Sequence, residues 1–233
     1  FLIVAIFWFV LSFFGAIPFL MDESLKFSFV EAIFESTSGW TTTGATVISN
    51  IDGLNKPLLL YRQLLQWLGG IGIVVLVLAI LPILGVGGMY LYKAETSSPV
   101  KDNKLSPRIT ETAKSLWGVY IILTIACAVL YKIAGMSYFD AIGHSFSTVS
   151  IGGFSTHDAS IGFYSSNLIK IICMVFMFLS ALNFVLHFLF YKNKSLSVYT
   201  SNSEMKTFIL IIIILLSYKI DPKFWDLNLF VYS

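Results

Sequence analysis

Four threonine hydroxyls and one glycine lie close together at Thr41-Thr42-Thr43-Gly44-Ala45-Thr46. Threonine hydroxyls and backbone carbonyl oxygens together can replace the hydration shell of a cation if they face a common axis. Successive carbonyls that face one way require unusual backbone angles, and glycine reaches a positive φ without a steric penalty from Cβ. The stretch is therefore typical of an ion-binding loop, and its alternative interpretation is an ordinary threonine-rich turn.

An internal repeat favours the ion-binding interpretation. The acid-Ala-Ile triplet that begins at Glu31 recurs at Asp140, and the same offset of 109 residues carries Gly44 onto Gly153. The second loop at this offset is Ser150-Ile151-Gly152-Gly153-Phe154-Ser155. Repeats at a fixed spacing indicate an architecture built from copies of one unit. Here the unit is a hydrophobic span, a short segment, a glycine-bearing loop and a second hydrophobic span, which is the membrane–pore–membrane plan of potassium channels.

The composition excludes a water-soluble domain. Apolar residues make up 57% of the chain and charged residues only 12%, with a mean hydropathy of +0.82, whereas soluble domains carry about 25% charged residues. Several uncharged windows reach roughly the 20 residues that a membrane-spanning helix requires. Both cysteines, Cys127 and Cys173, lie inside apolar spans and are interpreted as packing residues. The sequence therefore predicts an all-α integral membrane protein.

The order of apolar and basic segments predicts two complete repeats and the start of a third. In repeat one, a first helix covers residues 1–20, and a pore helix that enters the membrane part-way and turns back covers 27–38. In repeat two, the pore helix is expected at 138–147 and the helix after the loop at 167–191. The predicted domains are repeat one at 1–92, a cytoplasmic linker at 93–114, repeat two at 115–191, a second cytoplasmic linker at 192–206 and an incomplete third repeat at 207–233.

Charge asymmetry predicts the orientation in the membrane. The two linkers hold eight Lys and Arg residues, so the positive-inside rule places them in the cytoplasm and the glycine-bearing loops outside. Arg62 is expected either to pair with an acid near the pore helix or to extend to the membrane surface. Acidic residues around the loops either raise the cation concentration at the outer mouth or are ordinary solvated charges: Asp22, Glu23, Glu31, Glu35, Asp52, Asp140 and Asp158.

Five parts of the chain resemble the Trk-type bacterial potassium uptake proteins, the TrkH family. The resemblance runs from Phe1 to about Tyr199. It is carried by Ser36-Thr37-Ser38-Gly39-Trp40 with the first loop, Tyr61-Arg62-Gln63 with Leu65-Gln66-Trp67, Ala79-Ile80-Leu81-Pro82-Ile83-Leu84-Gly85-Val86-Gly87-Gly88-Met89, Lys101-Asp102-Asn103-Lys104 with Pro107-Arg108-Ile109, and Ile151-Gly152-Gly153-Phe154-Ser155-Thr156-His157-Asp158-Ala159-Ser160.

The resemblance implies a potassium transporter with four such repeats around one pore, each contributing one filter glycine. It implies that Thr41 to Thr46 and Ser150 to Ser155 donate the filter carbonyls. It also implies a multi-pass protein of the bacterial cytoplasmic (inner) membrane that pairs as a homodimer and binds a cytosolic nucleotide-binding regulatory subunit (TrkA-like). No nucleic acid and no cofactor are expected, and the potassium ion is the transported substrate. Potassium is expected to contact Thr42, Thr43, Gly44, Ile151, Gly152 and Gly153.

The family pattern has features that this sequence lacks. The third and fourth filters and the gating loop of the third repeat are absent, so the fold is expected to be truncated in its third repeat. Half a ring of carbonyls cannot replace a hydration shell from all sides, so we do not expect the chain to conduct alone. Uptake by symport with protons or sodium and passive flow both remain open.

Two other functions are alternatives to potassium uptake. An intramembrane hydrolase is suggested by Gly143-His144-Ser145 and Ser36-Thr37-Ser38-Gly39, with His187 as a base. A nucleophile and its base must lie within hydrogen-bond reach, and His187 is expected at the cytoplasmic end of its helix, far from these serines. An enzyme is therefore not expected. The other alternative is a non-conducting membrane subunit that folds only against a partner chain.

Overall fold

A computed structural model describes residues 2–72 and 105–219, and in these ranges its regular structure is α-helical apart from one 3-10 turn at Ser160–Phe163. The chain divides into two compact units, Phe1–Phe184 and Val185–Ser233. The helices described are α1 (Leu2–Gly15), α2 (Ile17–Met21), α3 (Phe29–Trp40), α4 (Lys56–Gly70), α5 (Leu105–Ile133), α6 (Tyr138–Val149), α7 (Asn167–Ala181), α8 (Phe184–Asn193), α9 (Ser197–Ser201) and α10 (Ser203–Lys219).

Repeat one packs α1 and α4 against α3, the helix that the sequence predicts as its pore helix. A capping box begins α3, in which Glu31 N–H donates to Ser28 Oγ at 3.4 Å and Ser28 N–H donates to Glu31 Oε2 at 2.7 Å. At the start of α4, Asn55 Oδ1 accepts from Leu58 N–H at 2.9 Å, and Pro57 occupies the first turn, where its missing N–H costs little. These signals fix where the pore helix and the helix after the loop begin.

Repeat two has the same arrangement, with α5 and α7 packed against the pore helix α6. Ser137 caps α6 by accepting from Asp140 N–H at 3.0 Å, and these two residues lie 109 positions after Ser28 and Glu31. The same cap chemistry at the same offset explains why both pore helices start in register. The 109-residue repeat therefore governs local structure as well as sequence.

Helix α4 joins the two repeats by packing against the pore helix α6. Its Trp67 stacks on Phe146 with ring centroids 5.1 Å apart, and Trp67 Nε1–H donates to Thr124 Oγ1 at 3.0 Å. Tyr120 O–H donates to the Trp67 carbonyl at 2.8 Å. Trp67 is thus a packing residue at the junction, with its polar atoms satisfied by α5.

Several helix boundaries differ from the predicted ones. The helix predicted at 1–20 is interrupted at Ala16, and the first pore helix, predicted at 27–38, covers Phe29–Trp40. Helix α5 is already helical at Leu105, so the last ten residues of the predicted linker are helical, and Pro107 lies in the first turn, where a missing N–H costs little. The single helix predicted at 167–191 is interrupted, because Leu182 adopts an extended backbone after α7 ends at Ala181. Residues 73–104 and 220–233 lie outside the described residues, and with them the end of repeat one, most of the first linker and the start of the third pore segment.

The surface of the first unit is apolar on its outer helices. Exposed side chains of α5 recur along one face at Ile122, Ile125, Val129 and Ile133, a pattern typical of contact with lipid. Within the described residues, Lys114–Ile133 is long and apolar enough to cross a membrane by itself, and α7 with α8 passes the same test only when the two are counted as one span. In the second unit, His187 Nδ1 lies 2.8 Å from Tyr199 Oη.

Candidate ion-binding loops

Both pore helices end in the same hydrogen-bonded turn, a Schellman motif, in which two N–H groups beyond the helix bond back to carbonyls of its last turn. The four bonds, with their N···O distances, are Thr43 to Ser38 (3.0 Å) and Thr42 to Gly39 (3.1 Å) after α3, and Gly152 to Ser147 (2.8 Å) and Ile151 to Thr148 (3.2 Å) after α6. Each of the four residues in the bonds after α6 lies 109 positions after the corresponding residue in the bonds after α3. The two loops therefore leave their helices with the same backbone geometry.

A β-branched residue occupies the left-handed position of each turn. Thr42 has a φ of 53° and Ile151 a φ of 56°. This region disfavours β-branched side chains, and such strain costs of order 1–3 kcal/mol and persists where the surrounding structure enforces it. No sequence signal predicts this conformation, because glycine is the usual residue here. The strain occurs at equivalent positions of both loops, which marks them as candidate functional segments.

The loop glycines come two residues later and bring the loops side by side. Gly44 and Gly153 have φ values of 77° and 87°, the positive sign that the sequence pattern predicts. A Cβ added to Gly44 would clash with the Gly152 carbonyl oxygen, whereas a Cβ added to Gly153 would lie 3.9 Å from Gly44 Cα. Gly44 is therefore required by space and by conformation, and Gly153 by conformation alone.

Most carbonyl oxygens of the two loops accept no hydrogen bond from the described residues. The exceptions are Ala45, which accepts from Ser38 Oγ at 2.5 Å, Gly152, which accepts from Gln66 Nε2 at 2.6 Å, and Ser155, which accepts from Arg62 Nη1 at 3.4 Å. Carbonyl oxygens carry two lone pairs each, so even these retain one. The loops thus present a set of unbonded acceptors on a fixed backbone.

A buried ion pair holds the end of the first loop. Arg62 Nε donates to Oε1 of Glu35 at 2.8 Å, Arg62 Nη2 lies 2.7 Å from the same oxygen, and both side chains are 0% exposed. Thr46 Oγ1 donates to the same carboxylate at 2.9 Å, and Val47 N–H donates to it at 3.1 Å. Of the two roles predicted for Arg62, pairing with an acid is confirmed. The interpretation of Glu35 as a charge at the outer mouth is wrong, because Arg62 and the loop enclose it.

The second loop is held at the same two positions by different chemistry. His144 lies 109 residues after Glu35 and Ser155 lies 109 residues after Thr46. His144 Nε2 lies 2.9 Å from Ser155 Oγ, and its Nδ1 lies 2.9 Å from the Asp140 carbonyl oxygen. In both repeats, a pore-helix side chain therefore ties down the hydroxyl that ends the loop.

Helix α4 of repeat one also reaches the loop of repeat two. Gln66 Nε2 donates to the Gly152 carbonyl, and Phe154 N–H donates to Gln66 Oε1 at 2.9 Å. The Arg62 guanidinium lies over the Phe154 ring, 4.2 Å from its centroid. Sequence reasoning did not single out Gln66, although a polar residue within an apolar helix is a signal for a functional or bridging role.

A polar cluster joins the segments that follow the two loops. Ile51 N–H donates to Asp158 Oδ1 at 2.8 Å, and Asp158 N–H donates to Asp52 Oδ2 at 3.2 Å. His157 Nδ1 lies 2.6 Å from Asp52 Oδ1, and its ring stacks on Phe163 at 3.7 Å. The hydrogen bond from His157 lowers the pKa of Asp52, and the bond from the Asp158 backbone adds to this. These acids serve as acceptors that tie the two repeats together.

The geometry does not support a hydrolase. His144 contacts Ser155 and not Ser145, whose hydroxyl donates to the Ile142 carbonyl at 2.7 Å. Both His144 and Ser155 are buried, and His144 acts here as a structural partner of the loop.

Sequence and structure comparisons give the same family for the chain. A sequence model of the TrkH family, described as a cation transport protein, matches residues 1–214. The chain belongs to the TrkH family. The family is described by cation transport and is not an enzyme family, and the described residues of this chain are helical.

The relatives of this TrkH-family chain are named as potassium uptake proteins. It is 57% identical over 206 residues to the Trk system potassium uptake protein TrkH of Halomonas elongata, covering 88% of this chain and 43% of the relative. It is 56% identical over 209 residues to TrkH of Escherichia coli, covering 90% and 43%. The crystal structure of the potassium transporter TrkH from Vibrio parahaemolyticus matches with a TM-score of 0.76 and 50% identity, over 92% of this chain and 43% of that one. The chain thus spans less than half the length of these relatives.

Proposed function

We propose that this chain supplies two of the four repeats of a potassium-selective pore in a Trk-type uptake system. In this proposal, Thr41 to Thr46 and Ser150 to Ser155 are segments of the selectivity filter, and Gly44 and Gly153 are the filter glycines of their repeats. The observation that carries the proposal is the pairing of the two loops. They share backbone conformation, meet at their glycines and retain unbonded carbonyl oxygens.

Selection would arise from carbonyls held on a backbone that cannot relax. A filter discriminates between cations through the number, spacing and field strength of its carbonyl oxygens. Thr42, Thr43, Gly44, Ile151 and Gly153 present carbonyls without a protein donor among the described residues. Gly152 would contribute through its second lone pair, because Gln66 occupies the first. The Schellman turns and the buried contacts from α4 keep these oxygens in position.

The wider setting of the pore is also a proposal. The relatives are named for potassium uptake, and we extend that substrate to the protein that contains this chain. We place it in the bacterial inner membrane as a multi-pass homodimer regulated by a cytosolic nucleotide-binding subunit. Either symport or passive flow is compatible with a filter of this kind.

The test is a chimera in which this chain replaces the matching 209 residues of Escherichia coli TrkH. We expect the chimera to restore growth of a potassium-uptake-deficient bacterium at low external potassium. The chain alone, expressed as a control, should reach the membrane without restoring growth, because two filter segments cannot surround an ion. A chimera that is present in the membrane at the level of native TrkH but gives no growth would contradict the proposal and favour a non-conducting subunit.

A further inference from the structure

We propose that Gln66 is a positioning residue for ion selection, because its side-chain amide sets the orientation of the peptide groups around Gly153. This inference rests on the proposed pore function and names a residue outside the filter segments that governs one of them. Gln66 belongs to repeat one, whereas the loop that it holds belongs to repeat two.

The Gln66 amide bonds the backbone on both sides of Gly153, as the backbone of a neighbouring β-strand would. The Gln66 amide donates to the carbonyl before Gly153 at 2.6 Å and accepts from the N–H after it at 2.9 Å. Both polar atoms of the amide are therefore used on the two sides of one glycine. With its flanking peptides held in this way, the Gly153 backbone is confined to its positive φ of 87°, and its own carbonyl accepts no hydrogen bond from residues 2–72 or 105–219.

The position of the Gln66 amide explains why residue 152 is a glycine, although the loop pattern requires a glycine only at 153. A Cβ at Gly152 would overlap the Gln66 amide, so only glycine at this position lets the amide approach the loop. The counterpart of Gly152 in the first loop is Thr43, which has no such partner among the described residues. The Gly152-Gly153 pair is thus one glycine for close approach and one for conformation.

The contact is not a general feature of the repeat. The residue 109 positions after Gln66 is Val175, which is 47% exposed and has no hydrogen-bonding group in its side chain. Helix α7 therefore cannot hold a neighbouring loop through an amide at this position. Gln66 is consequently specific to the junction between repeats one and two, where its burial is complete.

Helix α4 offers a matched control for this proposal. Gln63 lies one turn earlier on α4, is also 0% exposed and packs beside Gly143, yet its Oε1 and Nε2 have no hydrogen-bond partner in the part of the chain that the structure describes. Replacing either glutamine by methionine removes one buried amide from the same helix at nearly constant volume. Only the Gln66 change removes bonds to a filter segment, so a difference in ion selection between the variants reports on those bonds and not on burial.

The experiment measures potassium and sodium uptake by the chimera and by its Gln66→Met, Gln66→Asn and Gln63→Met variants, each normalised to the amount in the membrane. We expect Gln66→Met to lower the potassium-to-sodium uptake ratio about fivefold to tenfold, since two hydrogen bonds that fix the loop are lost. Gln66→Asn retains an amide that is one methylene too short and should show a smaller decrease. Gln63→Met should leave the ratio unchanged.

The outcomes separate this inference from the proposed function. An unmodified chimera that takes up no potassium contradicts the pore itself. A chimera that takes up potassium, with an unchanged ratio in Gln66→Met, overturns the role of Gln66 while the pore proposal stands. If Gln66→Met does not reach the membrane, Gln66→Asn decides: a lowered ratio supports the positioning role, and a ratio equal to that of Gln63→Met overturns it.

Discussion

The buried pair of Arg62 and Glu35 gives the sharpest prediction about stability. Glu35 accepts one hydrogen bond from Arg62 Nε at 2.8 Å and lies 2.7 Å from Arg62 Nη2, and it also accepts from Thr46 at 2.9 Å and from Val47 at 3.1 Å. Replacing Arg62 by methionine would leave the carboxylate buried with only the two loop donors. Removing one partner of a buried ion pair costs about 3–5 kcal/mol, because the other charge stays desolvated without compensation.

The double variant separates the ion pair from simple loss of packing. Glu35→Gln alone should destabilise by a similar amount, since it strands the guanidinium against the Phe154 ring and the Thr46 hydroxyl. Together, Arg62→Met and Glu35→Gln remove both charges, so the total cost should stay near that of one single variant and well below the sum. The expected coupling between the two positions is therefore close to the cost of one single variant, about 3–5 kcal/mol.

In the assay, the chimera is heated in detergent and the temperature at which half of the monodisperse protein is lost is measured. This midpoint is compared for the parent, both single variants and the double variant. The expected order places the parent highest and the double variant at or above the single variants. Lys56→Met provides the control, because Lys56 is an exposed cation on the same helix, 5.7 Å from the Phe139 ring centroid, and its loss should cost at most about 0.5–1 kcal/mol. A double variant that loses the sum of the two single effects would refute the reasoning.

Two further predictions follow from the described contacts. Gly69→Ala would place a Cβ onto the Trp40 carbonyl between α4 and α3 and should cost about 1–3 kcal/mol of stability. A Cβ added at Gly118 meets no atom of a neighbouring described element within 4 Å, so Gly118→Ala should stabilise by about 0.5–1 kcal/mol. Both changes are read from the same melting midpoints. Because the pKa of Asp52 lies below its ordinary value of 3.8, its bonds to His157 and Asp158 stabilise the protein fully above that pH and are lost as the pH falls below it. Asp52→Asn should therefore flatten the acid side of the melting profile, and an unchanged profile would contradict this role.

The order of the helices could be predicted from the sequence because it depends on local signals. Ser28 and Ser137 mark the starts of the two pore helices through caps with acids three residues on. Pro57 marks the start of α4, and the 109-residue offset aligns the loops. Boundaries were less accessible: the interruption after Ala181 has no glycine or proline to announce it, and we have no physical account of it.

Part of the candidate site could be predicted from the sequence. The glycines and hydroxyls of the two loops predict a positive φ at Gly44 and Gly153, and both have it. The left-handed conformations of Thr42 and Ile151 were not accessible, because propensity argues against a β-branched residue there. Nor were the contacts of Arg62 and Gln66 with the second loop, which span 86 to 93 residues of sequence and arise only when α4 packs against α6. A polar residue in an apolar helix can indicate a bridging role, but no local pattern tells which distant segment it contacts.

The most direct test of the account is the potassium-to-sodium uptake ratio of the chimera with Gly44→Ala, Gly153→Ala and the control Gly118→Ala. Gly44→Ala meets both a positive φ and a clash with the Gly152 carbonyl, whereas Gly153→Ala meets only the unfavourable φ, worth about 1–2 kcal/mol. The account predicts that both loop variants lower the ratio, Gly44→Ala the more strongly, and that Gly118→Ala leaves it unchanged. Loop variants that reach the membrane and keep the ratio of the parent would contradict the assignment of these loops as filter segments.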